Sequence, residues 1–197
     1  VKEVAQARTN IVLDQLDLVG RIRLVYFLLD MSLVQRGPGC KIRGAEARKA
    51  RVISLAGVDL ATDPGPNGRF ESHEDRHLGK SDGTWADLSR KCLNGADLKE
   101  SDLQGAWLSQ WMSNANLFKA NLRGASLRYS DLSCGFLRIT NLRGADLRRA
   151  NLTSVDLIGA DLRSSDLTNA DIAMAKFFVK DPKTATPYDP ADFIDFK

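Results

Sequence analysis

Histidine is almost missing from this chain, which has only His73 and His77, and cysteine is limited to Cys40, Cys92 and Cys134. With the cysteines far apart and no C-x-x-C pair, the spacing of a zinc module is absent. The odd count argues against a disulfide framework and for a reducing compartment, so the expected location is the cytoplasm or the cytoplasmic face of a membrane. Long apolar runs are missing too. The longest near the start, Leu24 to Leu29, has six residues, where a spanning helix needs about 20. It is not laid out as a signal peptide. The first residue is Val1 rather than Met, which suggests a fragment or a processed product, with membrane contact expected only through a segment upstream of Val1. No part of the sequence is dominated by charge of one sign: 28 Lys+Arg stand against 25 Asp+Glu, a net charge of +3. Without a polybasic arm or an acidic tail, nucleic acid is not an expected partner.

What the sequence does have is leucine at a fixed interval. Leu88 is followed at five-residue steps by Leu93, Leu98, Leu103 and Leu108, the phase slips by one to Met112, and it resumes from Leu117 through Leu167 to Ile172, eighteen units in all. Two residues before most central positions stands a small one, such as Ala86, Ala96, Ser101, Ala120, Ala145 or Ser165, and the residue between is usually Asp or Asn. A period of five fits neither the 3.6 of a helix nor the 2 of a strand. It describes a chain that turns a corner at every unit. Leucines form a ladder inside, small residues fill the corners, and closure comes from stacking coil on coil. The middle polar residue and the two after each leucine are expected to face solvent.

Runs such as Ala96-Asp97-Leu98-Lys99-Glu100, Ala145-Asp146-Leu147-Arg148-Arg149 and Ala160-Asp161-Leu162-Arg163-Ser164 resemble the A(D/N)LXX unit of the pentapeptide-repeat family. The resemblance implies a mainly β fold: a right-handed quadrilateral parallel β-helix with four units per coil, about 4.5–5 coils here. Ile53-Ser54-Leu55 and Val58-Asp59-Leu60 read as two earlier units in a shared phase.

The expected organisation is a helical cap over 1–50, first β-helix units at 51–60, an inserted loop at 61–83, the repeats at 84–177 and a C-terminal cap at 178–197. The insertion is rich in Gly, Pro, Asp and His. Residues 4–34 read as helix, with Val12, Leu16 and Val19 on one face and Ile22, Val25 and Leu29 on another, broken near Gly20. Two short helices over the open end of a β-helix would cover its exposed strand edge. Val4 to Thr9, Val12 to Asp17, Phe27 to Asp30 and Ile53 to Leu60 also resemble the helical lead-in of larger pentapeptide proteins, which carry transmembrane helices upstream. In the tail, Thr186-Pro187-Tyr188-Asp189-Pro190 resembles the Pro-x-x-Asp-Pro ending common after such repeats, and Phe193 and Phe196 suggest an irregular lid.

Little in the sequence points to catalysis. His73-Glu74-Asp75-Arg76-His77 spells H-E-x-x-H, but that chemistry needs both histidines on one face of a buried helix. Gly and Pro crowd the flanks here, so a solvated loop is expected. The evenly spaced Asp and Asn residues are a regular feature of the coil rather than an acid–base pair, which requires differing environments. Cys92 and Cys134 fall at outward positions with no histidine in the repeats to activate them. No catalytic residue, metal or cofactor is expected.

The outward positions say more. Arg123, Arg143 and Arg163 follow the central leucine on one face, with Arg128, Arg148 and Arg149 on the adjoining one, a basic stripe offset by Asp146, Asp161 and Asp166. Phe118, Phe136, Ile139 and Ile158 stack on another face, and Trp107 and Trp111 point outward on neighbouring faces. Clustered apolar surface marks an interface, unless the Phe177–Lys197 tail folds back and covers it. The expected function is a non-enzymatic structural or interaction module that presents this face to a partner protein or a second copy. The alternative that the resemblance implies is a DNA-mimicking gyrase inhibitor, which needs a strongly negative rod. The repeats carry twelve basic against ten acidic residues.

Overall fold

The computed structural model describes residues 2–30, 34, 54–61, 86–89, 91–108 and 111–177. In the described stretches between residues 54 and 177 the chain coils. Isolated parallel bridges join most units to the one 19 or 20 residues later, as in Asp97↔Asn116, Asn121↔Asn141 and Asn141↔Asp161, while Asp59 of the first coil bridges to Asp102. Four units therefore make one coil, and the coil has four faces. We name each by a central residue of its upper part. The Leu98 face stacks Leu55, Leu98, Leu117, Leu137 and Leu157, and the Leu103 face stacks Leu60, Leu103, Leu122, Leu142 and Leu162. The Leu88 face continues through Leu108, Leu127, Leu147 and Leu167. The Leu93 face continues through Met112, Leu132, Leu152 and Ile172. Met112 is fully buried, so the phase slip is a 19-residue coil. Leu55 and Leu60 sit on the first coil, with Leu55 donating to Asp97 O (3.1 Å) and Leu60 to Asp102 O (2.7 Å).

Each backbone amide of a unit has its own destination, and together they explain the repeat. In the unit centred on Leu122, Leu122 N–H donates to Asn141 O one coil on (2.7 Å), and Gly124 N–H donates to Arg143 O (3.0 Å). Asn121 N–H donates back to Ser101 O (2.9 Å), and Ala125 N–H closes the turn on Leu122 O (3.0 Å). The remaining amide, Arg123 N–H, donates to the side chain of Asn121 (3.3 Å). Buried backbone groups must find partners, and the Asp or Asn that precedes most central residues supplies the one that stacking cannot. These side chains are mostly half-buried rather than simply solvent-facing. They also ladder between coils, as where Asn141 donates to Asn121 (3.0 Å). The last residue of each unit takes a positive φ, as in type II turns: +63° at Gly124, but also +60° at Tyr129 and +58° at Ile139.

Two helices precede the coils, α1 (Lys2–Gln15) and α2 (Leu18–Asp30). The break falls at Leu16-Asp17, not at Gly20. Asp17 caps the second helix, its carboxylate accepting from Gly20 N–H (2.8 Å), and a capped start outweighs one glycine inside a helix. Ile22, Val25 and Leu29 share the buried face of α2, as their spacing predicts. In α1 the buried residue is Leu13, while Val12 is exposed.

The helices fill the hydrogen-bond positions that a preceding coil would occupy. In the stacked coils the carbonyl before each central residue accepts from the coil above. On the first coil those carbonyls take side-chain donors instead: Gln6 Nε2 to Ser54 O (3.0 Å), Arg21 Nη1 to Asp59 O (3.1 Å), and Tyr26 Oη to Asp87 O. Gln6 Oε1 also accepts Ser54 N–H (2.6 Å). Burial, with Asp87 beside it, pushes the Tyr26 hydroxyl up to about 12. A raised pKa in the folded state leaves stability whole below the unfolded value of about 10 and lowers it as pH rises toward 12. With Tyr26 only half-buried, the loss is screened to about 1–2 kcal/mol. Chemical unfolding at pH 9 and pH 11.5 should show this drop, and Tyr26→Phe should remove it.

The core is continuous from Leu13 and α2 to Leu162. It opens at the last coil, where Leu167 is half-buried and Ile172 is 38% exposed. Most of the insertion with its H-E-x-x-H motif, and the 178–197 tail, lie outside the described residues.

Candidate interaction surface

The Leu98 face carries four of the six residues that the sequence singled out as an interface. Phe136 and Ile139 are each 55% exposed, and Phe118 and Ile158 are half-buried beside them on the adjacent coils. The other two do not join them. Trp111 is exposed on the Leu93 face, and half-buried Trp107 lies on the Leu88 face, on the far side of the coil.

The unit 135–139 departs from its neighbours in three ways. Phe136 stands where most units, including those stacked directly above and below it, place a capping Asp or Asn (Cys92, Trp107, Trp111 and Ser126 are other departures), and its ring offers Arg138 N–H no acceptor. Ile139 adopts φ +58°, where a β-branched residue is a true outlier and the left-handed conformation costs roughly 1–2 kcal/mol. Gly135 replaces the corner alanine because a Cβ there would lie 2.8 Å from Leu132 O. Cations accompany the apolar residues: Lys119 sits 5.2 Å over the Phe118 ring, Arg138 is 4.0 Å from Asp156, and Lys176 is exposed below.

The basic stripe is where its spacing predicts, but part of it is already paired. Arg163 bonds Asp161 on the Leu103 face and holds that carboxyl below the usual carboxylate range. Arg148 bonds Asp146 (2.6 Å) and approaches Asp166 (3.6 Å) on the Leu88 face. Arg123 and Arg143 are exposed above Arg163. Arg128 and Arg149 flank the Tyr129 ring at 5.2 and 5.5 Å, a cluster that no repeat pattern signals in advance. Exposed pairs of this kind contribute little to stability.

No group of metal-ligating side chains occurs among the described residues. A cavity of about 280 Å³ between α1, α2 and the first coil is lined by Asn10, Asp14, Arg21 and Asp59, where Arg21 and Asp59 pair with each other. Cys134 is free and exposed, whereas Cys92 is disulfide-bonded. This corrects the expectation drawn from the cysteine count: pairing depends on which sulfurs the fold brings together, and an odd count excludes none. No described helix is long and apolar enough to cross a membrane.

Eight copies of the family described as pentapeptide repeats match over residues 84–110, 112–144, 137–169 and 145–177. A pentapeptide repeat protein from Nostoc Pcc 7120, alr5209, is 37% identical over 49% of this chain and 73% of its own, with a TM-score of 0.31. The chain belongs to the pentapeptide-repeat family. Pentapeptide-repeat proteins fold as right-handed quadrilateral β-helices. Another relative, from the cyanobacterium Cyanothece 51142, is 25% identical over 63% of this chain and 87% of its own (TM-score 0.27). A trypsin-treated form of QnrB1, a plasmid-mediated fluoroquinolone resistance protein, is 20% identical over 62% of this chain and 60% of its own (TM-score 0.31). No curated protein matches.

Proposed function

We propose that this pentapeptide-repeat protein is a rigid, non-enzymatic interaction module, a prism of about five coils capped by two helices that meets a protein partner through its Leu98 face. The observation that carries this reading is the unit 135–139. It gives up a turn cap at Phe136 and accepts a strained φ at Ile139, and both side chains point out beside Phe118 and Ile158. Local costs concentrated at one exposed apolar spot are the pattern of a contact surface rather than of a folding requirement. Gyrase inhibition by imitation of DNA is the weaker reading, because the repeats are net basic and arginines stand on two adjoining faces.

The test replaces the wild type in its own cells with Phe136→Glu plus Ile139→Glu. The native complex should shrink to the size of the free chain, while the purified variant melts within a few degrees of wild type. Arg123→Glu with Arg143→Glu should leave the size unchanged. An unchanged complex in the first variant would remove the Leu98 face from consideration.

A further inference from the structure

The chain leaves the last coil on the Leu98 face itself, where Lys176 bridges to Asp156 and Phe177 packs against the core. Residues 178–197 follow, and near their end Asp192-Phe193-Ile194-Asp195-Phe196 sets three apolar side chains among two carboxylates. The face offers the complement. Phe118, Phe136, Ile139 and Ile158 are stacked there, and from residue 116 to residue 176 it carries three cations, Lys119, Arg138 and Lys176, against Asp156 alone. Distance is no obstacle. An extended chain covers about 3.3 Å per residue, and the coils from Lys176 up to Phe118 span about 15 Å at a spacing of about 4.8 Å. A tether this short also holds its own end at a millimolar effective concentration, so weak docking suffices within one molecule.

Resting on the reading of the Leu98 face as a contact surface, we propose that the chain's own C-terminal segment, residues 189–196, docks there and is displaced by the partner. The apolar side chains of the segment cover Phe136 and Ile139, and Asp192 and Asp195 meet the cations. The face is then shielded in the isolated protein and open in the complex.

The probe is a fluorescent synthetic peptide of residues 189–197. The receiving protein is the full chain with Phe193→Ser, Ile194→Ser and Phe196→Ser, whose own end no longer competes. The peptide should bind this variant at least ten-fold more tightly than wild type, and adding Phe136→Glu should abolish binding. No binding to either chain, equal binding to both, or binding that survives Phe136→Glu overturns the proposal. The comparison with wild type needs no change on the face, so it holds even if the Phe136 variant misfolds. A wild-type dimer in light scattering that the tail changes dissolve would put the segment on a second copy and overturn docking within one chain. None of these outcomes alters the size of the native complex, so the contact-surface reading fails or survives separately.

Discussion

Leu142→Asp leaves no cooperatively folded protein at neutral pH. Leu142 has no exposed surface, its amide donates to Asp161 O at 2.8 Å, and its side chain stacks between Leu122 and Leu162. Truncating a buried leucine costs about 2–5 kcal/mol. A carboxylate at this place adds the desolvation of a charge that no cation on the inward side compensates. Against a total stability of about 5–15 kcal/mol, the two costs together exceed what the coils hold in reserve. The loss spreads, because each coil lends hydrogen bonds to both neighbours. Circular dichroism and hydrogen exchange should report an unfolded chain. Leu142→Met, which keeps the volume, should fold and lose less than about 1.5 kcal/mol. A Leu142→Asp protein that unfolds cooperatively near the wild-type midpoint would mean that the central residues do not face inward.

The second large effect is expected at the other end of the ladder. Gln6→Ala, Arg21→Ala and Tyr26→Phe together remove the side-chain donors that serve Ser54 O, Asp59 O and Asp87 O. Each substitution strands a backbone acceptor, at about 1–3 kcal/mol. The contacts to Asp59 O and Asp87 O are exposed, so water can replace the lost donors and their shares lie at the low end. A combined loss of about 3–6 kcal/mol corresponds to about 10–20 °C in Tm for a chain of this size. Limited proteolysis should release α1 and α2 first, because the middle coils keep their own bonds. A triple variant that melts within about 3 °C of wild type would show that the helices rest on the first coil without completing it.

The five-residue period was readable because every unit puts one large residue inside and most put a small residue at the corner. The units at Leu55 and Leu60 could be recognised because they share a phase with each other. The insertion breaks the count to the later units, and only the bridge from Asp59 to Asp102 shows which faces they join. The role of the Asp and Asn residues was not readable. Their pattern looks like solvent-facing polarity, and only the closed coil shows which turn amide each one serves. The donors Gln6, Arg21 and Tyr26 have no period at all, because each meets a different edge carbonyl once. Gly20 misled for a related reason, since a cap at Asp17 exists only once the chain direction on either side is set. At the candidate surface, stacking Phe118, Phe136, Ile139 and Ile158 on one face needed only a count of twenty per coil. That Phe136 displaces a cap and Ile139 takes a positive φ required the backbone.

The most direct measurement is site-specific photo-cross-linking from the Leu98 face. A benzophenone amino acid at position 136 of the full-length protein, irradiated in its native cells, should give a discrete adduct that mass spectrometry maps to a defined contact. The same group at position 123 on the Leu103 face should give none. An adduct from position 123 and none from position 136, or equal adducts from both, would contradict the assignment of the Leu98 face as the surface through which this protein works.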